Sequence, residues 1–348
     1  MTKRDRRGGP PGIVDVAARA GVSIATVSRA FARPEMVRAE TRKRIEEAAR
    51  DLGYIRDRVA GAMQNRFSGT VGLIVPTIDN AIFAEMVEAF ATRLRHHDRT
   101  MLIAAHGYDL SLETGIVRSL LERRIDGVAL IGFAHEPVPL TMLARRGVPT
   151  LSIWNYDADS ALPCIGADNR RAARLVTEHL IALGHRDIAF LFPEAQANDR
   201  ARDRMEGAMR AMAAAEARVP PRRVLACPYD MGAAKALALD LLSADPPTAV
   251  VCGNDVIAHG VVFAAGALGV RVPGEVSVVG IGDLRGSAEL EPGLTTVRLP
   301  ARRIGTLAAD AIVAMSESGA PPDPFRREVA VTFTERASTA PPPVATDG

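Results

Sequence analysis

Gly21 and Ser23 stand two residues apart between two short amphipathic segments, and each has a chemistry suited to a helix terminus. Gly21 can adopt a positive φ at little steric cost, as the end of a helix often requires. Ser23 can cap a following helix by accepting a hydrogen bond from a first-turn amide. Small apolar residues supply faces on which two crossing helices pack: Val14, Ala17, Ala18, Val22 and Val27. This pattern predicts a helix-turn-helix whose second helix, residues 24–31, enters the DNA major groove. An ordinary helical hairpin is the alternative.

Charge is unevenly distributed along the chain. Residues 1–66 contain 15 Lys or Arg and 8 Asp or Glu, a net charge of +7. The remaining residues contain 28 basic and 33 acidic side chains, a net charge of −5. A concentrated positive segment favours a polyanion such as DNA, because phosphate neutralisation releases counterions. The near-neutral total of +2 therefore conceals a basic head on an acidic body.

Length and composition restrict the class of protein. A chain of 348 residues, 47% of them hydrophobic, is long enough for a small module and one or two large ones. Its three cysteines, Cys164, Cys227 and Cys252, are far apart and lack metal-ligand spacing, which favours a reducing compartment. No apolar signal region or membrane-spanning run is present. We therefore expect a cytoplasmic protein with no membrane partner, metal or cofactor.

Beyond residue 69, apolar strand-like runs alternate with amphipathic segments. One series covers residues 71–154, and a second begins near Ile165. Buried strands separated by amphipathic helices predict parallel sheets covered on both faces. Two such series predict two similar lobes with a cleft between them, and ligands of open α/β sheets bind beyond the carboxyl ends of the strands. The expected fold is α/β: a three-helix helix-turn-helix domain, a hinge and a two-lobed, doubly wound domain.

The order of these parts resembles the lactose/galactose-repressor (LacI/GalR) family over roughly residues 13–336. The N-terminal match is DVAARAGVSIATVSRAF, followed by TRKRIEEAARDLGY. Matches in the body are IDGV from Ile125, LGHR from Leu183, ND at Asn254, LGVRVP from Leu268 and LTTV from Leu294. The resemblance implies a body like the type I periplasmic binding proteins. Residues 80–85 and 168–169 look most like gluconate-type members.

The resemblance also implies a function. Family members are dimers or tetramers that bind palindromic operators and respond to a small metabolite, often a sugar, held between the lobes. We expect a homodimer, with a tetramer as the alternative, that binds double-stranded DNA under control of a sugar or sugar acid. Repression is favoured over activation, because a bound dimer blocks a promoter without further contacts. The predicted regions are a disordered basic arm (1–12), the helix-turn-helix domain (13–56), a hinge (57–68), the effector-binding and dimerisation domain (69–336) and a disordered tail (337–348).

Matched position by position, the family's DNA contacts fall mainly on the second helix. Arg29 would read a guanine, because a guanidinium can pair with two acceptors on that base. Ile24 and Ala25 would make apolar contacts. Hydroxyl groups would contact phosphates or cap helices: Ser23, Thr26, Ser28 and Thr41. Arg38 stands where the family commonly has Ser, so it can strengthen a phosphate contact but gives up a side-chain cap.

The predicted hinge departs from the family pattern. It reads RDRVAGAM where the family reads close to PNRVARxL. In the family this segment becomes helical on DNA and a Leu enters the minor groove; Met63 occupies that place, and Arg58 would contact DNA. Glycine in a helix interior costs about 1 kcal/mol relative to Ala, so Gly61 predicts a hinge that orders less readily without DNA. A plain linker is the alternative.

The family's ligand positions predict an effector site between the lobes. Phe83 and Trp154 would face the C–H faces of a sugar ring, with core packing as the alternative. The predicted polar contacts are Asn198, Arg200, Arg204, Asn254 and Asp255. The cluster of Asn198 with two arginines indicates an anionic ligand such as a sugar acid.

One further effector position departs from the family. Family members carry an acidic residue two positions after the glycine matched by Gly280. Here Gly282 takes that place, and the acidic Asp283 follows one residue later. Asp283 would contact the ligand only if its loop is shifted.

Two other classes of protein share parts of this pattern. The run GIGDLRG from Gly280 nearly matches a dinucleotide-binding fingerprint of an enzyme, but its third glycine is one residue late and no βαβ unit follows. The seven histidines are scattered, and His185 in LGHR is expected to be structural. A sugar-binding protein without a regulatory role would share the two-lobed body. The fused basic helix-turn-helix argues against that reading.

Overall fold

A computed structural model describes residues 10–55, 67–79, 81–196 and 198–343. The chain forms two compact units, one up to Ser68 and one from Gly69. Most of the predicted basic arm lies outside the described residues, as do Arg58, Gly61 and Met63 of the predicted hinge.

The described part of the first unit contains three α-helices, and its turn has the expected chemistry. They are α1 (Ile13–Ala20), α2 (Ile24–Ala32) and α3 (Ala39–Leu52), and a 3-10 helix, Pro34–Met36, precedes α3. Gly21 ends α1 in the left-handed conformation with a φ of 65°. The Oγ atom of Ser23 accepts a hydrogen bond from the Thr26 amide at 3.1 Å and caps α2.

The core of the first unit differs in part from the predicted packing face. Val27 is buried as predicted, and it packs with Ile45 of α3. The prediction that Val14 and Ala18 lie on this face was wrong, because Val14 is 59% exposed and Ala18 is also exposed. The inward face of α1 is formed by the predicted Ala17 together with Val16 and Ala20, which were not predicted.

The second unit begins with a lobe built on a six-stranded parallel sheet. Its strands are β1 (Thr70–Val75), β2 (Thr100–Ala105), β3 (Gly127–Ile131), β4 (Thr150–Asn155), β5 (Cys164–Ala167) and β11 (Arg326–Glu328), in the spatial order β11-β5-β4-β3-β1-β2. Its helices are α4 (Ala81–His96), α5 (Glu113–Glu122), α6 (Pro137–Arg145) and α11 (Ala301–Ser318), with a 3-10 helix, Leu110–Leu112.

The second lobe repeats this architecture with one antiparallel edge strand. Its strands are β6 (Ile188–Phe192), β7 (Val224–Ala226), β8 (Ala249–Cys252), β9 (Ser277–Gly282), β10 (Thr295–Arg298) and β12 (Thr332–Thr334), in the order β12-β10-β9-β8-β6-β7. Its helices are α7 (Asn169–Ala182), α8 (Asp199–Ala214), α9 (Met231–Ala244) and α10 (Asp255–Leu268), with a 3-10 helix, Pro221–Arg223. Only β12 runs antiparallel to its neighbour, β10.

The chain crosses between the lobes three times, after β5, after β10 and after β11. Strands 4–6 residues long with fully buried patterns, such as β3 and β6, have helices on both sheet faces, as parallel sheets require. The predicted two-lobed α/β fold is therefore confirmed. Within the described ranges, no helix is both long enough and apolar enough to cross a membrane.

Closely packed helix pairs support the lobes: α4 with α11, α7 with α8, and α9 with α10. In each pair a glycine leaves no room for a side chain. A Cβ at Gly207 would overlap the carbonyl oxygen of Arg170, and one at Gly305 would overlap that of Met86. Gly260 faces α9, where a Cβ would lie 2.6 Å from the Cβ of Ala234.

Residues 337–343 differ from the predicted disordered tail. Ser338 is fully buried, and its Oγ donates to the Val278 carbonyl at 2.6 Å and accepts from the Thr295 amide at 2.8 Å. His185 in turn lies 2.8 Å from the Ala340 carbonyl and 2.9 Å from Thr248 Oγ1. The prediction was wrong for this segment because a Pro- and Ala-rich composition does not reveal backbone pairing with β9. Residues 344–348 lie outside the described part of the chain.

Candidate functional site

Helix α2 presents an exposed face made of residues that the sequence assigns to DNA. Ile24 is 47% exposed, and Ala25 and Arg29 are also exposed. Their spacing places them, with the half-buried Ser28, on one side of the helix. Val27 is buried on the opposite side. One guanidinium beside apolar atoms can bond to a guanine edge and contact a thymine methyl group.

The other predicted DNA residues of the first unit position helices or flank them. Ser23 Oγ and Thr26 Oγ1 lie 2.8 Å apart, so both hydroxyls take part in the cap of α2. Arg38 precedes α3 and makes no side-chain cap, as expected when Arg replaces Ser. Thr41 lies half-buried in the first turn of α3. Arg38 is exposed and free to meet a phosphate.

In the second unit, a small cavity of about 10 Å³ lies between the carboxyl ends of the two sheets. Its lining comes from both lobes: Ile82, Phe83, Tyr108, Trp154, Arg200, Arg204, Tyr229 and Asn254. Five of these residues were predicted from the sequence. The Phe83 and Trp154 rings meet edge to face at 5.1 Å between centroids. Both residues therefore pack in the core and also line the cavity.

Arg204 is a buried cation in the lining of this cavity. It is 2% exposed and donates to Asn169 Oδ1 and to the Gly253 carbonyl, both at 2.7 Å. Within the described residues, no carboxylate lies within ion-pair distance of its guanidinium. Burial lowers the pKa of Arg204, because the buried cation loses solvation. An anion bound against Arg204 would compensate this burial.

Arg200 differs from Arg204 because it already has a buried counter-ion. Its Nη1 pairs with Asp199 Oδ1 at 2.7 Å, and both side chains are almost fully buried. Asp199 Oδ2 accepts hydrogen bonds from the Asn155 side chain at 2.7 Å and the Phe133 amide at 2.8 Å. Asn169 donates to Asn155 Oδ1 at 2.7 Å. Because Asn155 ends β4 while Asp199 begins α8, this chain of hydrogen bonds joins the lobes and connects the two arginines.

Two buried nitrogen atoms near the cavity have no hydrogen-bond partner in the part of the chain that the structure describes. One is Nδ2 of Asn254, a fully buried residue whose Oδ1 caps α10 by accepting from the Ile257 amide at 3.1 Å. The other is Nδ1 of His106, whose pKa burial lowers. Unpaired buried donors are uncommon in native structures, and the one on Asn254 lines the cavity. Asn254 can therefore donate to a ligand oxygen.

A larger cavity of about 730 Å³ adjoins the first and includes the predicted residue Asn198. Tyr108 and Tyr229 line both cavities, and their ring centroids lie 6.4 Å apart. Tyr108 follows β2 in the first lobe, and Tyr229 follows β7 in the second. This tyrosine pair separates the outer cavity, whose volume is in the range of small-molecule sites, from the arginines.

Asp255 and Asp283 are not among the residues that line either cavity. Asp255 is fully buried and accepts from Thr296 Oγ1 at 2.6 Å, Ser287 Oγ at 2.8 Å and the Leu284 amide at 2.9 Å. Asp283 pairs with two arginines, Arg298 and Arg336. Both aspartates therefore bind partners within the second lobe, and their contact with an effector stays a prediction.

Several residues near the two cavities were not predicted from the sequence. Tyr108 and Tyr229 shortly follow the carboxyl ends of strands, and this position alone could have marked them as candidate site residues. Asp199, Asn155 and Asn169 form the chain of hydrogen bonds between the two arginines. No local sequence pattern indicates these contacts. Their contacts depend on the approach of two lobes that are distant in sequence.

Comparison with known proteins covers both units. Residues 12–64 match the family described as bacterial regulatory proteins, lacI family, and residues 177–339 match a periplasmic binding protein-like domain. The chain is 33% identical over 320 residues to the HTH-type transcriptional regulator GntR of Pseudomonas aeruginosa, covering 90% of this chain and 93% of that protein. It is 31% identical over 313 residues to GntR of Escherichia coli, covering 87% and 91%.

A solved structure is similar over most of the chain. The lac repressor dimer bound to operator and the anti-inducer ONPF superposes with a TM-score of 0.83 at 26% identity, covering 95% of this chain and all of that one. The likeness therefore extends over the helix-turn-helix and the two-lobed body.

Proposed function

Because the chain belongs to the LacI family of bacterial regulatory proteins, we propose that it represses transcription by binding a palindromic operator as a homodimer. A small sugar acid bound between the lobes controls this binding. The chain acts in the cytoplasm, where the DNA is, and carries out no catalytic reaction.

The observation that supports an anionic effector is the isolated charge of Arg204. Arg200 is neutralised by Asp199 at 2.7 Å, whereas the partners of Arg204 among the described residues are the neutral oxygens of Asn169 and Gly253. A carboxylate placed against Arg204 would form charge-assisted hydrogen bonds, each worth about 1.5–3 kcal/mol. Asn254 Nδ2 would donate to an oxygen of the same ligand. A neutral sugar would leave the buried cation uncompensated.

The size of the inner cavity suggests how an effector controls operator binding. A cavity of about 10 Å³ holds about one water molecule, so an effector can reach Arg204 only if the lobes or the tyrosine pair move. The effector therefore binds one arrangement of the lobes better than the other. Its effect on operator binding is limited by that difference in affinity.

A dimer is supported by apolar groups on the surface of the second lobe. Phe263 of α10 is 46% exposed, Met231 at the start of α9 is 39% exposed and Val224 of β7 is 41% exposed. Two copies related by a twofold axis would present two α2 faces to two half-sites of a palindrome.

Selection of binding sites from a random duplex pool at near-physiological salt tests the regulator proposal. We expect a palindrome of two half-sites about one helical turn apart, bound with steep salt dependence and clear sequence preference. A chain that only binds a sugar would enrich no motif. Weak binding that disappears as salt rises, without a motif, would overturn the proposal.

A further inference from the structure

The first lobe carries an arginine-rich groove far in sequence from both sites described above. It lies between α5 and α6 and has a volume of about 560 Å³. Its lining consists of four arginines, one glutamate and two apolar residues: Arg118, Arg124, Arg145, Arg146, Glu122, Leu121 and Met142. We refer to the four arginines as the arginine groove.

The four guanidinium groups are exposed and uncompensated. Within the described residues, none of them has a carboxylate at ion-pair distance, and all four are exposed. Elsewhere on the body some surface arginines are paired, as Arg174 is with Glu178 and Arg271 with Glu275. Others, such as Arg218 and Arg303, are exposed and have no ion pair within the described residues, but they do not line the groove. Residues 67–348 carry a net charge of −5. The arginine groove is therefore a local positive surface on a unit whose overall charge is negative.

The arginine groove lies at one end of the first-lobe sheet. Arg124 and Arg146 follow the last turns of α5 and α6, shortly before β3 and β4 begin. The start of β1 lies at the same end, because the Gly69 amide donates to Asp126 Oδ2 at 2.8 Å and the Asp126 amide donates to the Thr70 carbonyl at 2.7 Å. The chain arrives from the DNA-binding unit at this end of the lobe.

We propose that the arginine groove is a second DNA-binding surface, which contacts phosphates of the duplex that flanks the operator. The proposal rests on the function proposed above. Arginine is well suited to phosphate oxygens, since its planar donors bind them two at a time. Such contacts position a protein on DNA without reading its sequence.

Connectivity favours DNA over another polyanion. Once the helix-turn-helix holds an operator, the same chain keeps the flanking duplex at a high effective concentration around the body. A second copy of this chain is a poor occupant, because a twofold interface centred on the groove would bring like charges together. In the proposed contact with DNA, Glu122 would be the single acidic side chain among the residues that line the groove.

The test compares two duplexes that share the palindrome recovered by selection. The short duplex ends at the palindrome, and the long one extends about two helical turns, roughly 20 base pairs, on each side. The full-length wild-type protein and two variants are titrated by fluorescence anisotropy at 50–300 mM salt. The groove variant is R118Q/R124N/R145Q/R146Q. The control variant removes four exposed arginines located elsewhere on the body: R218Q/R222Q/R271Q/R303Q.

We expect the groove variant to bind the short duplex like wild type. On the long duplex, its log K versus log salt slope should be smaller by about 2–3.5 per protomer, since each phosphate contact contributes about 0.9. Its affinity there should fall by roughly tenfold or more, while the control variant behaves like wild type.

Three results would overturn the proposal. Wild type could bind both duplexes with equal slopes, or the control variant could lose as much slope as the groove variant. Light scattering could also show that the groove variant is monomeric, which would make the groove a self-association surface. If wild type shows no sequence preference on either duplex, the regulator proposal fails and the groove proposal fails with it.

Discussion

Replacement of Gly260 by Ala tests whether the close contact of α9 and α10 supports the effector site. In the structure, a Cβ at this position would lie 2.6 Å from Ala234 Cβ, 2.7 Å from the Met231 carbonyl and 2.9 Å from the Lys235 amide nitrogen. Two of these atoms belong to the backbone of α9, so side-chain rotation cannot relieve the overlap. Ordinary contact begins at 3.4 Å, and the helices must separate by several tenths of an ångström.

The expected loss of stability follows from two opposing effects. Overpacking of a well-packed interior costs about 1–3 kcal/mol, whereas Ala in place of Gly inside a helix gains about 0.5–1 kcal/mol. We expect the free energy of unfolding of Gly260→Ala to fall by about 1–2 kcal/mol, which lowers Tm by roughly 2–8 °C in a unit of this size. Gly266 lies in the same helix, is exposed, and has no atom within 4 Å of a built Cβ. Gly266→Ala should therefore be neutral or raise Tm by about 1–3 °C.

The assay is thermal unfolding of both variants by circular dichroism and differential scanning calorimetry. Asn254 directly precedes α10 and Tyr229 shortly precedes α9, so separation of these helices also displaces two residues of the inner cavity. Gly260→Ala should weaken effector binding, whereas Gly266→Ala should not. Equal Tm changes in the two variants, or a stabilised Gly260→Ala protein, would refute the packing argument.

Three further predictions concern DNA, assembly and pH. Arg29→Ala should reduce discrimination at one base pair of each half-site by about 1–3 kcal/mol, whereas Arg50→Ala on α3 should leave sequence preference unchanged. Competition binding with single-base operator variants measures this discrimination for both proteins, and an equal loss in the two would contradict the role of Arg29. Phe263→Glu should shift the dimer toward monomer in analytical ultracentrifugation and weaken operator binding, and Val138→Glu, 56% exposed on the first lobe, serves as its control; an unchanged dimer would remove Phe263 from the interface. Burial lowers the pKa of four histidines below 6.5, which favours their neutral form in the folded state: His106, His179, His185 and His259. The unfolded chain therefore binds more protons below pH 6.5, and Tm should fall from pH 7.5 to pH 6. Burial raises the pKa of Asp203 to about 6, a smaller opposing effect, so a Tm that rises over this range would contradict the prediction.

Much of the fold could be predicted from local sequence patterns. The turn at Gly21 and Ser23 is determined by steric freedom and capping within a few residues, and the structure shows both. Alternation of apolar and amphipathic runs was sufficient for two parallel sheets. The edge strands β11 and β12 were missed, because each has only three residues and pairs with a distant strand. The order in residues 337–343 was missed for the same reason.

The effector site could be predicted only in part. Phe83, Trp154, Arg200 and Arg204, which were predicted as effector contacts from family positions, line the inner cavity. Asp283 was predicted as an effector contact, but its carboxylate pairs with Arg298 and Arg336 and it lines neither cavity. The pairing of Arg200 with Asp199 was also out of reach, because Asp199 owes its position to Asn155 and Phe133 in the other lobe. That pairing decides which arginine is available to an anion.

The most direct test of the account measures the operator dissociation constant of the wild-type protein in the presence of paired ligands, each a sugar acid and its neutral sugar, beginning with D-gluconate and D-glucose. The matched variants are Arg204→Met and Arg202→Met, the second of which removes an exposed arginine from the same helix. The account predicts that a sugar acid changes operator affinity for wild type and Arg202→Met, that its neutral counterpart does not, and that Arg204→Met loses the response while still binding the operator. A response to a neutral sugar alone, or one that survives Arg204→Met, would contradict the assignment of Arg204 as the anion-binding group.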